Sequence, residues 1–193
     1  MALIEKSGAR VILLEIALVV VFYFISQAVM VLLLLFLAFT IFFFRDPPRE
    51  IGEGIVSPAY GKVDRILGNK LEIFMSPFDC HVNVAPVDGR IERTNHINGP
   101  HFPAFMRKEN AERNEIYISN EDGEFKVTQI TGMLARRIVC YPNEGDSVTK
   151  GEKIGIIKFG SRTTLEIPLG YSFTTKVGEK IKAGETLAVK KNV

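Results

Sequence analysis

The chain of 193 residues contains no tryptophan, two cysteines and three histidines, and its charges nearly cancel at a net +2. Cys80 and Cys140 are too few for a disulfide framework, so we expect reduced thiols in the core. The histidines do not follow a metal-ligand spacing and no CxxC pair is present, which predicts no metal site. A net charge this small gives no reason to expect nucleic acid as a partner.

Charged residues are nearly absent from Val11 to Phe44. This run exceeds the roughly 20 residues of one membrane crossing, yet it is short for two full crossings. It is also too long for a cleaved signal peptide. We therefore expect residues 1–46 to form a membrane anchor, either one long tilted helix or a helical hairpin that turns near Ser26-Gln27. Glu15 is expected near the membrane interface, because a carboxylate is costly in hydrocarbon.

Basic residues flank the apolar run, with Lys6 and Arg10 before it and Arg45 and Arg49 after it. Basic flanks favour the cytoplasmic side of a membrane. Both ends of the run are therefore predicted in the cytoplasm, which favours the hairpin and places the remaining chain on the cytoplasmic face of the cell membrane.

Residues 47–193 are predicted to form a β-rich domain, because the two prolines of Asp46-Pro47-Pro48-Arg49 end any helix. Short β-type segments alternate there with Gly, Pro, Asn and Asp, as in a barrel or sandwich. The stretch Pro103–Asn114 is predicted to be helical or irregular, and Met133–Arg137 is open to a strand. The predicted strands are Gly61–Leu67, Lys70–Phe74, His81–Ala85, Arg90–Thr94, Glu115–Ser119, Lys126–Gln129, Ile138–Tyr141, Gly155–Phe159 and Thr163–Ile167.

Two internal repeats indicate how these strands are arranged. The segment from Ser57 to Val63 resembles that from Ala85 to Ile91, and Glu144–Glu152 resembles Val177–Glu185. The second pair shares the pattern G-[DE]-x-[VI]-x-[KA]-G-E, in which glycines supply turn conformations and charged residues keep the turns solvated. This pattern is typical of lipoyl- and biotinyl-type hammerhead barrels. We therefore predict a barrel-sandwich-like β domain with pseudo-twofold repeats.

The bond between Gly160 and Ser161 lies between these repeats, where a carrier barrel would place a modifiable lysine. A serine hydroxyl at a strained strand end can attack the preceding carbonyl and convert the peptide to an ester. Elimination then cuts the chain, and hydrolysis leaves a pyruvoyl group. A ketone on a new N-terminus is an electron sink that the standard side chains lack.

Several ordered motifs identify the family that this chain resembles. Taken together they resemble the phosphatidylserine decarboxylase proenzymes in their short, membrane-anchored form, whose archaeal members act on archaetidylserine. The motifs are Phe44-Arg45-Asp46-Pro47, Ser57-Pro58-Ala59-x-Gly61-Lys62-Val63, Phe74-Met75-Ser76-Pro77-Phe78-Asp79-Cys80-His81-Val82-Asn83, Glu112-Arg113-Asn114, Ala135-Arg136-Arg137-Ile138-Val139 and Gly155-x-Ile157-x-Phe159-Gly160-Ser161-Arg162.

The resemblance implies self-cleavage between Gly160 and Ser161 into a large and a small chain, with a pyruvoyl cofactor made from Ser161. That group would condense with the amine of a membrane serine phospholipid as a Schiff base, release CO₂ and leave the ethanolamine lipid. The family also implies a homodimer. The alternatives are a non-cleaving, membrane-anchored lipid-binding paralogue, a trapped uncut precursor and a tethered carrier module.

The resemblance places a functional histidine at His81, which we expect to act in acid–base catalysis because imidazole exchanges protons near neutral pH. Asp79 is expected either to orient His81 or to cap a turn. The family's S-P-A-D-G aspartate is replaced here by Tyr60, which cannot supply a negative charge at neutral pH. Asp88, at the equivalent place in the repeat, and Asp64 are candidate substitutes.

Further residues are candidates for substrate contact. His96 falls where the family has a substrate-lining loop. Guanidinium groups match phosphate oxygens bidentately. Four arginines are therefore candidates for contact with the lipid phosphate, with ordinary surface positions as the alternative. Pro103–Met106 is open to either interfacial insertion or core packing. The arginines concerned are Arg113, Arg136, Arg137 and Arg162.

Overall fold

The computed structural model describes residues 3–102, 106, 110–132, 137–158 and 161–191. The chain divides into a helical unit that ends at Pro48 and a second unit that begins at Arg49. The second unit consists of strands and connecting turns. The prediction of a mainly β protein is therefore confirmed.

The first unit contains two helices, α1 (Lys6–Tyr23) and α2 (Gln27–Phe43), so the alternative of one long helix is wrong. A short turn around Ser26 reverses the chain, and an antiparallel bridge joins Ile4 to Arg45. The two ends of the helix pair therefore lie side by side. Among the described helices, none has the combined length and apolar composition needed to cross a membrane.

Glu15 packs between these helices and is only 5% exposed. Its Oε1 accepts a hydrogen bond of 3.0 Å from the Thr40 hydroxyl of α2. The expectation that Glu15 lies at a membrane interface did not anticipate this partner. A buried carboxyl group is costly unless it is hydrogen-bonded. The Thr40 hydroxyl satisfies Oε1, whereas Oε2 is buried and has no hydrogen-bond partner among the described residues.

The second unit is built from short antiparallel strands that form three sheets within the described residues. One sheet has eight strands in the order β13-β2-β3-β11-β7-β6-β5-β9, and the two small sheets have the orders β1-β14-β12 and β4-β10-β8. The strands are β1 (Ile55–Val56), β2 (Gly61–Leu67), β3 (Lys70–Met75), β4 (Val82–Val84), β5 (Gly89–Ile97), β6 (Arg113–Asn120), β7 (Gly123–Thr131), β8 (Ile138–Cys140), β9 (Ser147–Val148), β10 (Lys153–Ile157), β11 (Ser161–Glu166), β12 (Tyr171–Phe173), β13 (Lys180–Ile181) and β14 (Thr186–Lys190).

Each predicted strand has a counterpart in this set, although the bounds differ. The prediction of helical or irregular structure up to Asn114 is wrong at its end, because β6 already begins at Arg113. Half of 103–114 (103–105 and 107–109) and 133–136 of the possible strand at 133–137 lie outside the described residues. Five of the described strands were not predicted. Three of them, β1, β9 and β13, have two residues each, which are too few to show an alternating pattern, and the other two are β12 and β14.

The internal repeats fold alike. In one copy β13 pairs with the start of β2 and β14 pairs with β1. In the other, β9 pairs with the start of β5 and β10 pairs with β4. The copies also exchange equivalent hydrogen bonds, from Val56 N to Pro86 O and from Val84 N to Pro58 O, both 3.0 Å long. The four turn glycines have φ between 83° and 94°, as their turns require. They are Gly145, Gly151, Gly178 and Gly184.

One face of the eight-stranded sheet covers the apolar core and is called the inner face below. Leu71 and Ile73 of β3, Leu165 of β11 and Val127 of β7 lie on it and are fully buried. Residues alternate between the two faces along each strand. The inner face therefore also carries Ser161 and Thr163, and the opposite, outer face carries Arg162 and Thr164.

Candidate active site

Ser161 is the first residue of β11 and is completely buried. The ladders place it opposite Met75 at the end of β3 and opposite Thr131 at the end of β7. Its hydroxyl donates to the Met75 sulfur at 3.2 Å. The predicted nucleophile is thus fixed at one end of the sheet by backbone pairing on both sides, while Gly160 lies outside the described residues.

The inner face changes from apolar to polar at the Ser161 end. One rung of the ladders joins Leu165 to Val127, and both are apolar. The next rung toward Ser161 joins Thr163 to Gln129, and Gln129 in turn pairs with Asn114 of β6. On the inner face of β7 and β11 the polar side chains therefore lie at the end that carries the candidate nucleophile.

A chain of buried amides crosses this polar region. Gln129 Nε2 donates to Asn83 Oδ1 at 2.9 Å, and Asn114 donates to Gln129 Oε1 at 3.1 Å. Asn83 Nδ2 contacts both Pro58 O and the Thr163 hydroxyl at 3.2 Å. Because buried amides are costly when unpaired, this chain fixes the position of each member.

Gly155 makes room for the amide chain. A β-carbon there would lie 2.8 Å from Gln129 Nε2 and 2.4 Å from Val139 O. Asn114, at one end of this series of buried amides, also forms a hydrogen bond with Cys140. Burial raises the pKa of the Cys140 thiol, and this hydrogen bond offsets only part of the increase. Neither Cys140 nor the buried Cys80 forms a disulfide.

His81 lies immediately before β4 and is fully buried. Its Nδ1 is 2.8 Å from the Asp79 carbonyl oxygen. The Asp79 carboxylate instead accepts from the Ser76 amide and hydroxyl at 2.8 and 2.7 Å, so Asp79 caps a turn with its side chain and holds His81 with its backbone. The Asn83–Thr163 contact joins the segments of His81 and Ser161, since each partner lies two residues further along its segment.

Tyr60, which stands where the family has an aspartate, lies near the end of the sheet that carries Ser161. The residue after it, Gly61, comes so close to β3 that a β-carbon would lie 2.3 Å from Phe74 O. Tyr60 is partly buried, and the Arg49 guanidinium lies 5.8 Å from the centre of its ring. Tyr60 therefore directly precedes β2, the strand that pairs with β3, and β3 in turn pairs with β11.

The two candidate substitutes for the missing aspartate contact residues of other segments. Asp88 is exposed, and its Oδ1 accepts from Lys150 N at 2.8 Å. Its backbone oxygen accepts from Asn120 at the opposite end of β6, so Asp88 lies away from Ser161. Asp64 forms an ion pair with Arg162 on the outer face. The suggestion that Asp88 or Asp64 substitutes for the aspartate stays a prediction, and these contacts do not support it.

A cluster of polar side chains around Glu112 lies next to Thr131. Glu112, at its centre, is not among the predicted site residues. His96 Nε2 is 3.3 Å from Glu112 Oε1, and His101 Nε2 is 3.3 Å from Oε2. His101 Nδ1 lies 3.1 Å from the Thr131 hydroxyl. The predicted substrate residue His96 is thus bound to a carboxylate, with its side chain 45% exposed.

The outer face carries a cavity of about 450 Å³. Two of the arginines that line it are paired with carboxylates: Arg162 contacts Glu72 at 3.1 Å, and Arg113 contacts Glu115 at 3.2 Å. Burial raises the pKa of Glu115, but hydrogen bonds from Lys126, Tyr117 and Arg113 outweigh this and hold the pKa below its ordinary value. Arg113 and Arg162 are therefore committed to ion pairs on this face.

The remaining predicted residues are less informative. Arg137 is exposed just before β8, and its backbone oxygen accepts from Lys158 N at 3.2 Å. Arg136 lies outside the described residues, as do 103–105 of the apolar segment that ends at Met106.

Comparison with known proteins decides the family. Residues 36–189 match the model of the phosphatidylserine decarboxylase family. The chain belongs to this family. It is therefore a decarboxylase, a carboxy-lyase.

Relatives extend over most of the chain. A protein of Archaeoglobus fulgidus, named as a candidate archaetidylserine decarboxylase proenzyme, is 51% identical over 97% of this chain and 96% of its own length. A Methanosarcina acetivorans protein with the same name is 45% identical over 77% of this chain and 74% of its own. A phosphatidylserine decarboxylase proenzyme of Streptomyces coelicolor is 43% identical over 76% of this chain and 70% of its own. No solved structure matches.

We expect Asn83→Ala to destabilise the β unit by about 1–3 kcal/mol, because it leaves Gln129 Nε2 buried without its acceptor. Asn95→Ala is the matched control, since Asn95 is exposed on β5. Urea unfolding followed by circular dichroism measures both variants. Equal stabilities would contradict the structural importance of the amide chain.

Proposed function

We propose that this chain cuts itself at Gly160-Ser161 and then decarboxylates the serine headgroup of a membrane phospholipid, phosphatidylserine or archaetidylserine. The observation that carries the proposal is the fixed, buried position of Ser161 at the start of β11, on the polar end of the inner face. The names of the relatives support the substrate class. They do not favour the non-cleaving alternative.

The self-cleavage balances without any added oxidant. Ser161 Oγ gives up its proton and attacks the Gly160 carbonyl carbon, and the Ser161 nitrogen leaves with a proton, so an ester replaces the amide. Loss of the Ser161 Cα proton expels the Gly160 carboxylate. Water then releases ammonia and leaves a ketone at residue 161.

The residues around Ser161 fit a pyruvoyl group formed in place. The strand pairing that fixes Ser161 remains after the cut, because it lies on the C-terminal side of the cleaved bond. A pyruvoyl group supplies the electron sink for the electron pair left by departing CO₂. We assign to His81 the proton that returns to the substrate carbon, since its ring is held by the Asp79 carbonyl.

The helical unit is proposed to attach the protein to the membrane. Its apolar side chains are exposed over much of both helices, and five of the largest are each more than half exposed: Leu13, Leu14, Leu32, Leu35 and Phe36. Such a surface is unusual for a water-facing helix pair. The bridge between Ile4 and Arg45 keeps both ends on one side, and the basic flanks favour the cytoplasmic side.

The self-cleaved product is proposed to be a homodimer of large and small chains, an inference that rests on the family resemblance alone. Its substrate lies in a membrane surface, so attachment would hold the site near the headgroups.

Ser161→Ala is expected to abolish self-cleavage, because it removes the attacking oxygen. Denaturing mass spectrometry of the purified chain should show two fragments for the unmodified protein and one intact chain for the variant. Ser172→Ala, on β12, is the matched control and should cleave normally. Fragmentation of the Ser161→Ala chain at the same bond would rule out the proposal.

His81→Gln is expected to lower CO₂ release from serine phospholipid vesicles by about 100-fold or more, the usual contribution of an acid–base group. The assay uses serine lipids with ester-linked and ether-linked tails. Lys62→Gln, at an exposed position of β2, should retain the rate of the unmodified protein. Undiminished turnover by the His81 variant would remove this residue from the mechanism.

The double variant Leu32→Lys and Leu35→Lys is expected to reduce flotation of the full chain with anionic phospholipid vesicles, because two ammonium groups would enter the apolar surface. Leu169→Lys is the control, since Leu169 is 88% exposed in the β unit. Unchanged flotation of the double variant would exclude the helical unit as the attachment site.

A further inference from the structure

Four neighbouring chain segments meet at the Ser161 end of the sheet. Ser161 pairs with Thr131 of β7, and the Thr131 amide donates to Glu112 O at 3.0 Å, just before β6. Glu112 N in turn donates to Pro100 O at 3.3 Å. The backbone therefore sets Ser161, Thr131, Glu112 and the 96–101 segment side by side.

Gly99 allows this close approach. A β-carbon at Gly99 would lie 2.2 Å from Asn110 O and 2.9 Å from Glu112 N. The 96–101 segment thus lies directly against the segment that carries Glu112. As a result, the carboxylate receives His96 and His101 on its two different oxygens.

The polar contacts run from Glu112 to Thr131 without a gap. Glu112 Oε2 lies 3.3 Å from His101 Nε2, and His101 Nδ1 lies 3.1 Å from Thr131 Oγ1. An ionised carboxylate only accepts hydrogen bonds, so Nε2 carries the hydrogen that faces it. In the neutral ring Nδ1 is then an acceptor for the Thr131 hydroxyl at 3.1 Å, and the Glu112 backbone oxygen is a second acceptor for the same hydrogen at 3.2 Å. The relay uses the orientation in which this hydrogen faces Nδ1.

The Thr131 side chain lies next to Ser161. Both residues are on the inner face, and directly opposed residues of an antiparallel pair have β-carbons roughly 4.5–5.5 Å apart. Both side chains are nearly buried, at 3% and 0% exposure. Ser161 Oγ donates to Met75 on the strand at its other side, so contact with Thr131 requires a change of the Ser161 χ1 rotamer.

We propose that Glu112, His101 and Thr131 form a proton relay for the self-cleavage at Ser161. This inference rests on the proposed function, and it assigns chemistry to residues that the sequence motifs around Ser161 and His81 do not include. The arrangement is a carboxylate, an imidazole and a hydroxyl in series, the order that activates a hydroxyl in nucleophilic catalysis.

The relay leaves the proton count unchanged. The Ser161 hydroxyl proton passes to Thr131 Oγ1 as the Thr131 proton passes to His101 Nδ1, and Glu112 stabilises the imidazolium. When the Ser161 nitrogen leaves the Gly160 carbonyl carbon, His101 returns one proton through Thr131 to that nitrogen. Glu112 and His101 are thus positioning and proton-storing groups, and Thr131 is the member nearest to the reacting atoms.

The experiment follows the rate of self-cleavage in the full chain, measured as the intact fraction over time by denaturing mass spectrometry. Glu112→Gln, His101→Gln and Thr131→Val should each slow cleavage by at least about tenfold, within the usual range for proton-transfer groups. Thr131→Ser keeps the hydroxyl and should cleave at close to the unmodified rate. Circular dichroism verifies the fold of each variant.

Two matched controls separate a relay from general disturbance of the sheet. Thr128→Val repeats the threonine-to-valine change on the outer face of β7. Glu124→Gln repeats the glutamate-to-glutamine change at an exposed position of that strand. Both should leave the rate unchanged. The pair Glu112→Gln with His101→Gln should be no slower than the slower single variant, because members of one relay act as a unit.

The outcomes distinguish the relay from the function on which it rests. Cleavage of the unmodified chain, slow cleavage of the three variants and recovery by Thr131→Ser support the relay. If the unmodified chain cleaves and Thr131→Val and Glu112→Gln match its rate, the relay is wrong while the proposed function stands. An unmodified chain that never cleaves contradicts both.

Discussion

The position of Ser161 depends on the two antiparallel ladders that hold its strand between β3 and β7. These ladders continue for six residues on each side, from Ser161 to Glu166. They fix the serine from its C-terminal side, which is the side that would keep its structure in the proposed cleavage of the bond to Gly160. A side chain on a loop would lose this support at the cut, because backbone pairing is what restrains the new end.

The same strands serve two purposes because their inner face changes character along its length. Leu71, Leu165 and Val127 belong to the apolar core, whereas Thr163, Gln129 and Asn114 form the polar end. The buried amides are satisfied by one another and by the Pro58 carbonyl of the repeat unit. One sheet therefore contributes both to the apolar core and to the candidate active site. In the two repeats, the turn glycines have similar positive φ angles; they are Gly145, Gly151, Gly178 and Gly184.

Much of this architecture follows from the sequence, because alternation and glycine spacing act locally. The strands around Lys62, Ile73 and Thr163, and the paired repeat turns, could all be predicted. Tertiary pairing decided the rest. Nothing local shows that Glu15 meets Thr40, that Asp88 lies at the far end of the sheet, or that Glu112 joins His96 to His101. Each of these depends on which strands become neighbours, and the single polar residues involved carry no periodic signal.

The most direct test of this account is chemical detection of a carbonyl at residue 161. The purified protein is treated with a hydrazide reagent, reduced, and analysed by peptide mass spectrometry. The account predicts one labelled peptide that begins at residue 161 and carries the hydrazide in place of the serine amine, and no label in Ser161→Ala. An unlabelled protein that nonetheless decarboxylates the serine lipid would contradict the proposed self-derived pyruvoyl group.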